Sequence, residues 1–257
     1  MHVIANHSTC LQHPQMSHRL ARGLRRNLFA RMSENLPGQT ALMRRLKALT
    51  AHRLCHQQRK RIMRRVIRQA RDLLYSPAIT SPAAGTGLQG FMFPPSIRHL
   101  PDGEREDALA IIMAKLTVEP RPQAASTTLG WVYPHAVERL FMRLDTASLE
   151  TVASELGSAL PCLARLSTAV RGCGRKVLQL PVPTSQGFFL ARATGTAGAF
   201  ALHTWLPLHC NPRIDYTLAA IKAWFHTPAA DACATLRCLL ADSRNRWIQQ
   251  PYPFPGH

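Results

Sequence analysis

Between Thr40 and Tyr75 the chain contains neither glycine nor proline, and its apolar residues recur at helical spacing. Leu42, Met43, Leu46 and Leu49 make one stripe; Ile62, Met63, Val66, Ile67, Ala70, Leu73 and Leu74 make a second. With 3.6 residues per turn, this spacing gathers apolar side chains on one face. A long helix over 40–75 is predicted, with one side that must be buried. Its other side is basic: Arg44, Arg45, Lys47, Arg53, Arg59, Lys60, Arg61, Arg64, Arg65, Arg68 and Arg71 face a single acid, Asp72. Eleven positive charges less one leave +10 of the chain's net +18.

Charge this concentrated favours a polyanionic partner. Arginine dominates, and its planar donor fork suits phosphate. Arg59, Lys60, Arg61, Arg64, Arg65 and Arg68 are the candidate nucleic-acid contacts. Two other readings compete, a membrane-surface helix and a solvated face. The segment has no aromatic anchor before Tyr75, which disfavours the membrane. An arginine-rich genome composition is the bland alternative, in which the charge has no binding role.

Hydrophobic residues make up 46% of the 257, enough for a core, and the charged fraction of 18% argues against wholesale disorder. Seven scattered cysteines without a C-x-x-C pair indicate reduced thiols rather than a disulfide framework. No stretch reaches the roughly 18 apolar residues of a membrane span, and the first residues lack a secretory apolar core. The expected location is the cytoplasm, with no membrane partner.

Punctuation sets the organisation. Residues 1–39 are His-rich and broken by Pro14, Pro37 and Gly38, so a loosely ordered start is expected, with a short basic helix near Ser17–Ser33. Pro77, Pro82, Pro94, Pro95 and Pro101, with Gly85, Gly87 and Gly90, predict a linker over 76–103. An α+β domain is expected over 104–242, then an extended tail over 243–257. Within the domain, Glu104, Glu106 and Asp107 would suit the start of a helix over Gly103–Leu116. Pro134 opens a helix whose buried side is Val137, Leu140, Phe141 and Leu144. A second helix follows Asp145, and a third piece starts at Pro161. The period then changes: Lys176–Val182 is β-rich, and Gly187–Thr194 and Gly198–Leu206 predict two antiparallel strands around a glycine-bounded turn. Helices are expected over Tyr216–Phe225 and about Ala229–Asp242. The fold class is thus α+β: a helical basic N-terminal region and a compact domain of helices on a small antiparallel sheet.

His135, Arg139 and Arg143 repeat every four residues and share a helix face. Metal-independent RNA cleavage needs a base, an acid and a cation on the scissile phosphate. Imidazole suits the first two and guanidinium the third. The stretches Pro134-His135-Ala136-Val137-Glu138-Arg139 and Ala199-Phe200-Ala201-Leu202-His203-Thr204-Trp205 resemble the BECR superfamily, the barnase–EndoU–colicin–RelE-like ribonuclease toxins. The resemblance covers about residues 128–207 and its motif is short. It implies a metal-independent endoribonuclease without cofactor, in which His135 is the acid/base, Arg139 binds phosphate and Thr204 supplies a strand hydroxyl. It also implies an antitoxin or immunity partner. Arg143 and His203 are auxiliaries by placement alone. On the bland reading these residues simply solvate a helix face, with Glu138 or Asp145 as ion-pair partners.

Two non-catalytic readings stand beside this one. The first is a basic nucleic-acid-binding accessory protein, RNA ahead of DNA. The second is a structural or interaction protein whose charge follows composition. His203, His209, Cys210, Cys233 and Cys238 match no common zinc spacing, and no metal is expected. Serine- and cysteine-hydrolase signatures and phosphate loops are absent.

Overall fold

The acid-led run Arg105–Thr117 is one long strand, β4, in the computed structural model. The model describes residues 16–51, 55–80, 87–99, 105–117, 123–173, 177–194, 198–209 and 211–250. The fold is α+β, with helices and a mostly antiparallel sheet. It divides into two compact units, 29–131 and 1–28 with 132–257.

In the first unit, α2 (Leu36–Ala51) and α3 (His56–Leu73) accompany five strands. The expected single helix over 40–75 is therefore two, with 52–54 outside the described residues. Gln58 reaches back to accept from the Cys55 backbone N–H at 3.1 Å, closing the start of α3. Strands also stand where the linker was expected: β1 (Tyr75–Thr80), β2 (Gly87–Met92) and β3 (Pro95–His99). With β5 (Gln123–Val132) the order is β1-β2-β4-β5, and β3 lies along β4. The template is β4 itself: Ile112–Thr117 pairs β2 and Arg105–Leu109 pairs β3. This corrects the helix predicted over Gly103–Leu116. In a short apolar run both periods fit, and here Ile112, Ala114 and Leu116 pack at alternate positions into one core cluster.

The apolar face of α3 supplies the rest of that cluster. Met63, Val66, Ala70 and Leu74 are buried with Leu42, Leu88 and Met92. Removing Met63 and Val66 from water contributes about 2 kcal/mol each. At Gly90 the strand comes close to Leu74: a Cβ there would lie 2.7 Å from Leu74 Cβ.

The second unit holds α4 (Pro134–Leu144), α5 (Leu149–Cys173), the meander β6 (Gln179–Pro183), β7 (Gly187–Ala193), β8 (Phe200–Pro207), and then α6 (Pro212–Phe225) and α7 (Ala232–Ala241). The amphipathic helix α1 (His18–Ser33) crosses the unit boundary at Leu28. The three strands pair antiparallel in the order β8-β7-β6. Pro161 does not end a helix; α5 runs through it. The proline itself is exposed, so its ring does not press on the packed side of the helix. Buried Glu155 accepts from the Gln186 N–H at 2.8 Å, and Ser158 Oγ accepts from the Ser185 N–H at 3.1 Å, so α5 holds the β6–β7 turn. At that turn Thr184 Oγ1 accepts from the Gly187 N–H and from the Trp205 indole N–H, both at 3.1 Å. A Cβ on Gly187 would run into the Trp205 ring and the Leu206 carbonyl.

The expected extended tail is a 3-10 helix over Ser243–Gln249, with Asn245, Trp247 and Ile248 buried; 251–257 lie outside the described residues. Asp242 caps it, accepting from the Arg244 backbone N–H at 2.9 Å and from the Arg244 guanidinium, while the Tyr216 hydroxyl donates at 2.7 Å. Arg244, then Tyr216, hold the Asp242 carboxyl down from 3.8 to about 2. A depressed folded-state value stabilises the fold above the unfolded value and is lost as pH falls through the folded one. Asp242→Asn is therefore expected to lose less stability than wild type between pH 3.8 and about 2, read by thermal melts in acid. Identical acid limbs would contradict this role.

Candidate nucleic-acid interface

Pro134 stands in the first turn of α4, and the Tyr133 N–H before it donates to Leu202 O of β8 at 3.3 Å. That bond fixes where the helix begins on the sheet. Ala136, Val137, Leu140 and Phe141 are fully buried beneath it. The helix closes on Asp145 in the left-handed conformation, φ 47° and ψ 46°, which Asp tolerates better than most residues.

His135 is exposed, and its Nε2 accepts from Arg139 Nε at 3.3 Å. The contact requires a neutral ring with its lone pair on Nε2. Arg143 reaches the other way and donates to the Trp205 carbonyl, binding α4 to β8. His203 is the extra residue of a β-bulge, since Thr204 pairs Leu190 while Leu202 pairs Ala191. Its ring meets Tyr133 edge-on at 4.9 Å. Thr204 is buried, 8% exposed. The structure thus joins His135 to Arg139 at the surface, uses Arg143 and His203 to hold α4 on β8, and keeps Thr204 within the sheet. Glu138 pairs with Arg25 of α1 at 3.2 Å rather than with its helix neighbours. Sequence spacing could not reveal that partner.

The basic set sits on α3. Arg61, Arg64, Arg65 and Arg68 are exposed, Lys60 is half-buried, and the Arg59 side chain lies outside the described residues. Arg71 extends the exposed face, and Asp72 is the helix's one acid. A further stripe, Arg19, Arg22 and Arg26, lies on α1, the short basic helix expected near Ser17–Ser33. Its signal was available: three- and four-residue spacing with no acid in the helix.

Among the described residues no group of three or more His, Cys, Asp or Glu is placed to hold a metal. Cys233 lies on α7 with its thiol toward Ala169 O, and Cys238 is exposed. Burial pushes the Cys162 thiol up to about 12, so it stays protonated. Among those residues, too, no helix is long and apolar enough to cross a membrane. No family model, curated protein or solved structure matches the chain.

Proposed function

We propose that the chain is a non-enzymatic nucleic-acid-binding protein, with RNA favoured over DNA, that lays the arginine face of α3 along a phosphate backbone. The carrying observation is the division of α3. Its apolar side is built into the core, and its opposite side presents Arg61, Arg64, Arg65, Arg68 and Arg71 to solvent. A membrane-surface helix needs its apolar side free. Guanidinium planes also stack on unpaired bases, which favours single-stranded RNA. Cys55, Cys162, Cys173, Cys233 and Cys238 are free thiols, in keeping with a cytoplasmic setting.

The test is titration of labelled single-stranded RNA and duplex DNA over a range of salt. Combined Arg61→Gln, Arg64→Gln, Arg65→Gln and Arg68→Gln is expected to reduce the RNA salt slope by about 3, and affinity roughly 200-fold at physiological salt, from about 0.7 per phosphate contact. Glutamine is a good helix former, so the fold should persist. An unchanged slope, or no wild-type affinity at physiological salt, would sink the proposal and favour composition-driven charge.

A second reading, a toxin-like metal-independent endoribonuclease, draws on the exposed His135–Arg139 hydrogen bond. His135 would take the 2′-hydroxyl proton and return one to the leaving 5′-oxygen, and Arg139 would hold the phosphate, while Thr204, buried in β8, would take no part. An antitoxin partner belongs to this reading alone. RNA cut equally by wild type and His135→Ala, or by neither, removes it.

A further inference from the structure

We propose that Arg19, Arg22 and Arg26 of α1 form a second phosphate-binding stripe, with Gly23 as its point of close approach. The inference rests on the nucleic-acid reading above and adds a contact surface in the other unit. The three arginines are exposed, and together with Gly23 they line an open hollow of about 620 Å³. At i, i+3 and i+7 they occupy one side of the helix. The opposite side is fixed inward: Ala21 and Leu28 are buried, and Arg25 is held by Glu138 at 3.2 Å. The helix therefore cannot turn its arginines away from solvent. No acid lies in α1, and among the described residues none of the three has an ion-pair partner.

Gly23 is the second, independent observation. Glycine inside a helix is destabilising relative to alanine. Here packing does not require it, because a Cβ at this position would meet nothing within 4 Å. What the missing side chain does is keep the space between three guanidinium groups open, so that a phosphate can sit low enough for more than one donor fork to reach it. A lipid headgroup offers the same phosphate, but α1 has its apolar side committed to the fold. Leu20, half exposed, is the one large apolar residue it shows to solvent. A nucleic-acid strand, with a phosphate at every nucleotide, fits a stripe.

The experiment uses the full chain, labelled single-stranded RNA and anionic vesicles of phosphatidylglycerol and phosphatidylcholine. Arg19→Gln with Arg22→Gln and Arg26→Gln is expected to lower the RNA salt slope by about 2 and affinity roughly 50-fold, at about 0.7 per phosphate contact. Gly23→Leu leaves the charge unchanged and strengthens the helix. It is expected to weaken RNA binding by at least about fourfold, one phosphate contact's worth, with an undiminished melting temperature. If the α1 variants bind as wild type while the α3 variant loses slope, this inference fails and the nucleic-acid reading stands. If wild type binds no RNA, both fall. Vesicle binding lost in the triple variant with RNA binding intact would overturn the inference in favour of lipid.

Discussion

Arg165→Ala is expected to lower unfolding free energy by about 3 kcal/mol, the cost of several charged hydrogen bonds and the acceptors left behind. Arg165 stands on α5 but serves the end of α6. Its guanidinium donates to Phe225 O at 2.6 Å, to Thr227 O, to Thr227 Oγ1 at 3.0 Å and to Pro228 O at 3.4 Å. The last carbonyls of any helix have no partner within it and carry the negative end of its dipole. A cation with several donors answers both needs. The same group lies 5.0 Å from the Trp224 ring centre, so deletion also removes a cation–π contact. Arg165→Lys separates charge from geometry, since lysine keeps the first and lacks the fork. Urea unfolding should place the lysine variant nearer alanine than wild type. A lysine variant as stable as wild type would show that charge alone suffices.

Thr217→Val should cost a similar amount, about 3 kcal/mol, although the two side chains have nearly the same shape. Thr217 is fully buried on α6. Its hydroxyl donates to Asn245 Oδ1 at 2.6 Å and accepts from the Trp247 indole at 2.8 Å. Asn245 Nδ2 in turn donates to Leu239 O at 3.0 Å. Valine fills the space but leaves an amide oxygen and an indole N–H buried with no partner, and such groups are costly where water cannot reach. Thr217→Ser keeps the hydroxyl and loses a methyl, worth about 1 kcal/mol. The ordering is the measurement: serine above valine in thermal and urea unfolding. The reverse order would mean that packing, not the polar network, holds the terminal 3-10 helix in place.

Local signals were legible where one sequence feature had one structural cause. Pro134 followed by Val137, Leu140 and Phe141 gives a helix start and a buried stripe, and α4 matches both, although Leu144, expected in that stripe, is only half-buried. The three C-terminal strands were marked by short β-rich apolar runs and, for the second and third, by the glycines at or just before their starts. Residues 76–99 misled because proline and glycine have two uses. Pro95 starts β3, Pro77 coincides with a register shift in β1, and Gly90 lets β2 approach Leu74. They punctuate strand edges and contacts as readily as loops. The acids Glu106 and Asp107 at the start of β4 looked like a helix start because that preference depends on an axis dipole, which a sequence cannot show to exist. At the candidate site, the i, i+4 spacing of His135 and Arg139 was readable. The bulge that isolates His203 was not, because register belongs to a pair of strands.

The seat of the Trp205 indole against Gly187 has a consequence for how copies of this chain can diverge. Positions 184, 187 and 205 are not independent. While the indole is present, 187 is closed to any side chain and 184 must offer an acceptor. A lineage that lost the indole would free both positions at once. A glycine opening β7, a hydroxyl three residues before it and a tryptophan late in β8 thus form a linked spelling by which distant relatives of this fold should be recognisable, even where their surfaces share nothing with this one.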